Sequence, residues 1–256
     1  MSFTYHCRGI VLLREDWREA GRLYTLYTRE AGKVLAVGRG TRKPLSKLAA
    51  HLEPYSTVDL HLARGRKTET ICGALVSRTS EPISSDSARH LLAAFIAETV
   101  DHFVKFGDPD AELWNLVENA LAGAAREPIE RFPELAAAFS WRLMDRLGYH
   151  PRIEHCASCE RDSGFGGLFL PLRGVMLCAD CRPPERELAG AAPLDRSAVI
   201  AVRACLETED LTPDFYRAVP AGLLFLEAHL DRPISTLPLV RQALMPSPIS
   251  ATVSAL

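Results

Sequence analysis

Over the first 80 residues apolar and polar positions alternate in short runs divided by turn residues, the period of two that marks strands with one buried face. The runs are 5–13, 22–28, 33–39, 57–62 and 68–76. In the second, Leu23, Thr25 and Tyr27 alternate with Tyr24, Leu26 and Thr28; in the fourth, Val58, Leu60 and Leu62 alternate with Asp59 and His61. Glu30-Ala31-Gly32 and Arg64-Gly65-Arg66 supply turns between runs. Five short strands are the count of an OB-fold, a small barrel whose face and loops bind oligonucleotides, although other five-stranded barrels and half-sandwiches share that count.

After Glu81-Pro82 the period changes to about 3.6. Ser84, Ser85, Asp86 and Ser87 are N-cap candidates, and Ala88, Leu91, Leu92, Phe95, Ile96, Thr99, Val100 and Phe103 then make one apolar face. A second helix follows Asp108-Pro109, with Leu113, Leu116, Val117 and Leu121 inward and Gly123 near its end. The third covers 133–147, where Leu135, Phe139, Leu143 and Leu147 recur at fourfold spacing and Gly148 takes the C′ position. Segments 195–206 and 213–230 read as helices beyond a cysteine-rich insertion. The expected fold is therefore multi-domain α+β. A five-stranded β-barrel (OB-fold) spans 1–80, and an all-α domain in two parts, 81–150 and 187–245, is interrupted by a four-cysteine zinc knuckle at 151–186. Residues 246–256 are expected to form a flexible tail.

Charge changes the picture only after the chain is divided. Thirty Lys+Arg against 32 Asp+Glu give −2 overall, which argues against a nucleic-acid binder. Residues 1–80 carry +7 and the remainder −9, a basic head on an acidic body. Such asymmetry suggests that the head alone faces a polyanion, the other explanation being a chance fluctuation of surface charge. No apolar run is long enough to span a membrane, and the first residues lack a secretory layout, so the protein is expected in the cytoplasm, where close cysteine pairs favour metal over disulfide.

Cys156-Ala-Ser-Cys159 and Cys178-Ala-Asp-Cys181 form two C-x2-C knuckles 18 residues apart. That spacing suits one tetrahedral zinc ion per chain, structural because all four positions are filled. Free thiols or a redox pair are the alternatives, the latter without the βαβ context it needs. Gly164, Gly166, Gly167 and Leu168-Phe169-Leu170 suit the turns and strands of a ribbon hairpin carrying the knuckles. His150 and His155 flank the first knuckle, where either could replace a ligand, but exposed loop histidines are expected to be bystanders. Cys7, Cys72 and Cys205 read as buried small hydrophobes. No nucleophile elbow, Walker A loop, H-E-x-x-H, dinucleotide glycine pattern or zinc-deaminase signature is present, so no enzyme is expected.

Gly38-Arg39-Gly40-Thr41-Arg42-Lys43-Pro44-Leu45-Ser46-Lys47 places four cations in one loop, and Arg64, Arg66 and Lys67 add a second cluster. Cations beside aromatics hold single strands without sequence readout. Tyr5, Tyr24, Tyr27 and Tyr55 are the aromatic candidates, of which at least half are expected to fill the barrel. A solvated basic loop is the alternative.

Several short motifs, in this order, resemble the bacterial RecO recombination-mediator family. They are Gly9-Ile10-Val11-Leu12, Thr28-Arg29-Glu30-Ala31-Gly32-Lys33, Gly40-Thr41-Arg42-Lys43-Pro44-Leu45-Ser46, Leu52-Glu53-Pro54, and Leu147-Gly148-Tyr149-His150-Pro151 leading into Cys156 and Cys159. The resemblance implies a non-enzymatic protein of DNA repair. It would bind single- and double-stranded DNA, anneal complementary strands and, with RecR, assist RecA loading onto strands coated by single-strand-binding protein. It also implies DNA contacts at Arg39, Arg42, Lys43 and Lys47, zinc ligands at Cys156, Cys159, Cys178 and Cys181, and a bacterial cytoplasmic, nucleoid-associated location. Single-strand-binding protein is a partner of some relatives, but no motif marks its pocket, and an acidic body is an odd receptor for an acidic tail. A zinc-ribbon adaptor that binds only proteins and a metal-dependent nuclease are the competing classes.

Overall fold

A computed structural model describes residues 3–162, 166–181, 185–188, 190–208 and 211–244. Strands β1 (Thr4–Trp17), β2 (Gly21–Thr28), β3 (Gly32–Gly38), β4 (Thr57–Ala63) and β5 (Glu69–Arg78) close into a barrel of order β1-β2-β3-β5-β4. Neighbours are antiparallel except β3 with β5, which pair in parallel at Ala36↔Glu69 and Val37↔Thr70. The period of two reappears as two destinations for alternate side chains. On β1, Cys7 and Val11 join Tyr24, Leu26, Leu60 and Leu62 inside the barrel, whereas Ile10 and Leu12 point outward into the core of the following domain. Strand β1 runs four residues past the predicted end, to Trp17, across a bulge between Val11 and Leu13.

The helical body contains α1 (Glu81–Ser84), α2 (Ser87–Phe103), α3 (Ala111–Arg126) and α4 (Phe132–Arg146), later joined by α6 (Arg196–Glu207), α7 (Val219–Glu227) and α8 (Thr236–Leu244). A short helix α5 (Glu185–Leu188) lies between the two groups. Each of three helices begins at an aspartate whose carboxylate accepts from backbone N–H groups: Asp86 from Arg89, Asp110 from Glu112 and Leu113, and Asp195 from Ala198. Helix α4 ends in a Schellman turn, with Gly148 at φ +90° and its N–H donating to Asp145 O while Tyr149 N–H reaches Met144 O. Segment 213–230 is not one helix; a 3-10 turn at Pro213–Ala218 precedes α7. Gly164 and the tail from Pro246 lie outside the described residues. No helix among the described residues is long and apolar enough to cross a membrane.

The cysteine insertion is a four-stranded sheet of β6 (Arg152–Cys156), β7 (Gly167–Leu170), β8 (Val175–Leu177) and β9 (Ala192–Leu194), in the order β6-β8-β7-β9. A plain hairpin was expected, but β6 pairs in parallel with β8, so the first knuckle is brought in from outside the β7-β8 hairpin. Alternation again sorts the side chains. Phe169 and Met176 enter the body core, Phe169 against Trp141 and Phe225 at ring distances of 5.1 and 5.3 Å, while Leu170, Val175 and Leu177 pack around the cysteines.

Barrel and body are locked at one edge. Gly32 adopts φ +66°, and a Cβ there would stand 2.0 Å from Gly107 O, so only glycine lets the β2-β3 turn meet the chain after α2. Beside it the Lys33 ammonium, 5% exposed as a residue, donates to Asp101 O at 2.6 Å and Asp101 Oδ1 at 3.2 Å and lies 4.6 Å from the Phe106 ring.

Candidate nucleic-acid interface and metal centre

The loop after β3 is ordered at its foot by polar contacts. Buried Thr41 donates its hydroxyl to Gly38 O at 2.8 Å, Arg42 N–H donates to Ala20 O at 3.2 Å, and the Arg42 guanidinium donates to Arg18 O at 3.3 Å. Those bonds tie the basic loop to the β1-β2 turn. Between them lies a groove of about 810 Å³ lined by Trp17, Arg18, Val37, Arg39, Thr68 and Thr70, among others.

All seven cations singled out in the sequence, Arg39, Arg42, Lys43, Lys47, Arg64, Arg66 and Lys67, are exposed. Arg39 lines the groove, and Thr68, one residue after Lys67, closes its other side, so the two basic loops meet across the β3-β5 pairing. Among the described residues Arg39, Lys43, Lys47, Arg66 and Lys67 make no ion pair. Arg42 pairs with Asp16 at 3.4 Å, and Arg64 lies over the Phe3 and Tyr5 rings at 5.6 Å each. Of the tyrosines, Tyr24, Tyr27 and Tyr55 are buried and unavailable to a base; Tyr5 is half-buried. The exposed aromatic at the groove is Trp17, 38% exposed, with Arg18 stacked at 5.9 Å, and sequence reading missed both. Their signal was a Trp-Arg pair just where an alternating strand gives way to a turn.

The four knuckle cysteines converge. Their sulfurs all lie within 4.8 Å of one another, and Cys159 Sγ stands 3.7 Å from Cys178 Sγ. A tetrahedral zinc thiolate site with bonds of about 2.3 Å needs sulfurs about 3.8 Å apart. Burial pushes the Cys156 thiol up, but N–H groups of Cys178, Cys159 and Ser158 directed at its sulfur outweigh that and bring it down to about 6. Cys181 is held at about 12 by its hydrogen bonds with the neighbouring thiols, Cys159 first. One sulfur is thus prepared as a thiolate while Cys181 is held protonated beside it, and a cation among the four would relieve that opposition, so the donor set fits a metal ion. His150 and His155 are both exposed; His150 Nδ1 lies 2.9 Å from Asp145 Oδ1, and neither histidine joins the cluster. Cys7 and Cys205 are buried as expected, but Cys72 is exposed: it follows inward Ile71 and takes the outer face of β5, at a bulge where no residue of β4 pairs with it.

Comparison with known proteins agrees with this architecture. The family model described as Recombination protein O N terminal matches residues 1–78, and the one described as Recombination protein O C terminal matches 84–237. A DNA repair protein RecO of Rubrobacter xylanophilus is 38% identical over 185 residues, covering 71% of this chain and 74% of that protein. One of Frankia casuarinae is 33% identical over 252 residues, 94% of this chain and 99% of its own length. A third, of Cutibacterium acnes, is 28% identical over 246 residues, covering 93% and 99%.

Proposed function

This chain belongs to the RecO family and so has a role in DNA repair and recombination; from that premise we propose that it is a non-enzymatic mediator that binds single- and double-stranded DNA and anneals complementary strands. With RecR it assists loading of RecA onto strands coated by single-strand-binding protein, in the bacterial cytoplasm at the nucleoid. The observation that carries the reading is the set of exposed, largely unpaired cations on two loops that meet at one groove of a closed five-stranded barrel. The barrel at 1–80 holds the DNA, and the divided helical domain at 81–150 and 187–245 supports it.

The mechanism is electrostatic. Arg39, Arg42, Lys43, Lys47, Arg66 and Lys67 replace condensed counterions on the phosphates, and release of those ions drives binding. Arg64, backed by Phe3 and Tyr5, extends the basic surface as a planar guanidinium. Neutralising two strands on one surface lowers their mutual repulsion while their base edges stay open to pair. Cys156, Cys159, Cys178 and Cys181 would hold one structural zinc ion, and their cross-link would fix the sheet that carries Phe169 into the body core.

A salt titration with unrelated single-stranded oligonucleotides tests the reading. The log-log slope should be near −0.7 for each phosphate neutralised, equal across sequences, and the same protein should accelerate annealing of complements. Lack of DNA binding at low salt would leave a protein-only adaptor. Elemental analysis of the purified protein should return about one zinc per chain.

A further inference from the structure

The basic loop carries a side chain that its charge does not explain. Leu45 is 95% exposed, the most exposed large apolar side chain among the described residues. It does not sit on a slack segment. Ser46 N–H donates to Lys43 O at 3.0 Å, closing a turn with Pro44 and Leu45 at its two central positions, and Lys43 N–H donates to Gly40 O at 3.1 Å. Proline at the first central position presets the backbone. On the far side, the Ser46 hydroxyl accepts from Ala49 N–H at 3.3 Å, anchoring the turn to the 3-10 segment Ala49–His51. The result is an apolar tip on a hydrogen-bonded turn, with exposed Lys43 and Lys47 flanking it and Arg39 and Arg42 at its foot.

Water is a poor environment for such a tip, and the surrounding charge selects what can cover it. A partner must be polyanionic at the level of the lysines and apolar a few ångströms further in. A nucleic-acid strand has that layering, phosphate outside and base faces inside. We propose that Leu45 is a wedge that inserts between adjacent bases of the single strand held by the loop cations, breaking the stack and freeing base edges to pair. In duplex DNA, apolar side chains, Leu and Pro among them, part base steps as wedges; on a single strand the phosphate contacts alongside would offset the smaller cost of unstacking. This inference rests on the DNA-binding reading and goes beyond it, since counterion release alone has no use for an apolar tip.

The test uses the full-length protein and a single-stranded oligonucleotide carrying one 2-aminopurine, whose fluorescence rises when it loses its stacked neighbours. The wild type should bind and raise the signal. Leu45→Ala should bind with the same salt slope but give no rise, and should anneal complements roughly tenfold more slowly. Leu45→Met, which keeps an apolar tip without a ring that could stack on the base, should retain both. Retention of the fluorescence rise and annealing rate by Leu45→Ala, or by Leu45→Lys, would overturn the wedge while leaving the DNA-binding reading intact. Absence of wild-type binding to the oligonucleotide at low salt would overturn that reading and the wedge with it. Leu45 touches no core, so loss of signal in these variants cannot come from unfolding.

Discussion

The barrel carries two sets of cations that the sequence does not distinguish and the fold treats in opposite ways. Against the body, Lys33 is buried on Asp101, and Arg8 and Arg78 share Glu118 at 3.7 and 3.9 Å; within the barrel, Arg14 holds Glu53 at 2.6 Å. On the loops, Arg39, Lys43, Lys47, Arg66 and Lys67 have no acidic partner among the described residues. A cation that is desolvated and paired contributes to structure and is unavailable to a ligand; one that is solvated and unpaired contributes little to the fold and keeps its full charge for a phosphate. The head's +7 is therefore an uneven reserve, concentrated away from the body.

The largest separation of the two sets should come from Lys33→Ala. Removing the buried ammonium strips away its bonds to Asp101 O and Oδ1 and leaves Asp101 only the exposed Arg232 at 3.7 Å, a loss of about 3 kcal/mol, seen as a melting temperature lower by roughly 10 °C. Salt dependence of DNA binding, measured on the protein that remains folded, should not change. A variant with wild-type melting and a shallower salt slope would put Lys33 in the ligand set and collapse the distinction. Close behind in size is the combined Arg39→Ala, Arg42→Ala, Lys43→Ala variant. Its melting should be unaltered, its salt slope shallower by about 2, and its affinity at 0.1 M salt about a hundredfold lower for any sequence. Sequence-dependent losses would mean base readout, not phosphate neutralisation.

Why one half of this comparison was readable in advance follows from the range of the interactions involved. Strand alternation, the Asp86 cap and the Gly148 terminator depend on neighbours within a turn or two, so the residues announce them. Clustering of Arg39 to Lys47 is likewise local. The partnering of Lys33 with a residue 68 positions away is not, and nothing in the alternation of β3 separates that lysine from those of the following loop. Tertiary context also removed Tyr24, Tyr27 and Tyr55 from the surface. The four cysteines were legible because a metal site leaves a fixed spacing; the parallel β6-β8 pairing that assembles them leaves none. Helix α8 escaped notice because its nine residues are short and its start is capped from afar, by Glu98 of α2 accepting from Ser235 and Thr236.

Acid titration should sharpen the contrast at a smaller scale. His102 faces Asp231 at 3.0 Å, with Arg232, Asp101 and Lys33 nearby; burial lowers its pKa below the ordinary 6.5 and Asp231 only partly restores it. Burial raises Glu98, but the bonds from Thr236 and Ser235 prevail and hold it below 4.5. Arg146 holds Asp110 below 3.8. All three take up protons in the unfolded chain at higher pH than in the folded one, so their stabilisation is complete above the unfolded values and is lost on acidification. Urea midpoints should hold steady down to about pH 6.5, decline below it as the unfolded His102 protonates, and fall faster below about pH 4.5. None of the three groups lines the groove between the basic loops, so DNA affinity per folded molecule at fixed ionic strength should not follow that decline. Midpoints that rise on acidification would contradict the assignment.

Arg42 is the intermediate case, and its substitution partner gives the smallest effect. Asp16 Oδ2 lies 3.4 Å from Arg42 Nε and Asp16 Oδ1 lies 3.7 Å from Arg22 Nε, on an aspartate whose side chain is largely exposed. Such surface pairs contribute about 0–1 kcal/mol, so Asp16→Asn should leave melting unchanged. The Arg42 guanidinium keeps its bond to Arg18 O, and its N–H keeps Ala20 O, so the side chain stays in place without the carboxylate. With that negative charge gone from beside Trp17 and the groove, single-stranded DNA should bind about threefold more tightly at low salt, with a slightly steeper salt slope. Weaker binding would mean that the ion pair aims Arg42 at the phosphate, and Arg42 would then belong with the cations whose partners do structural work.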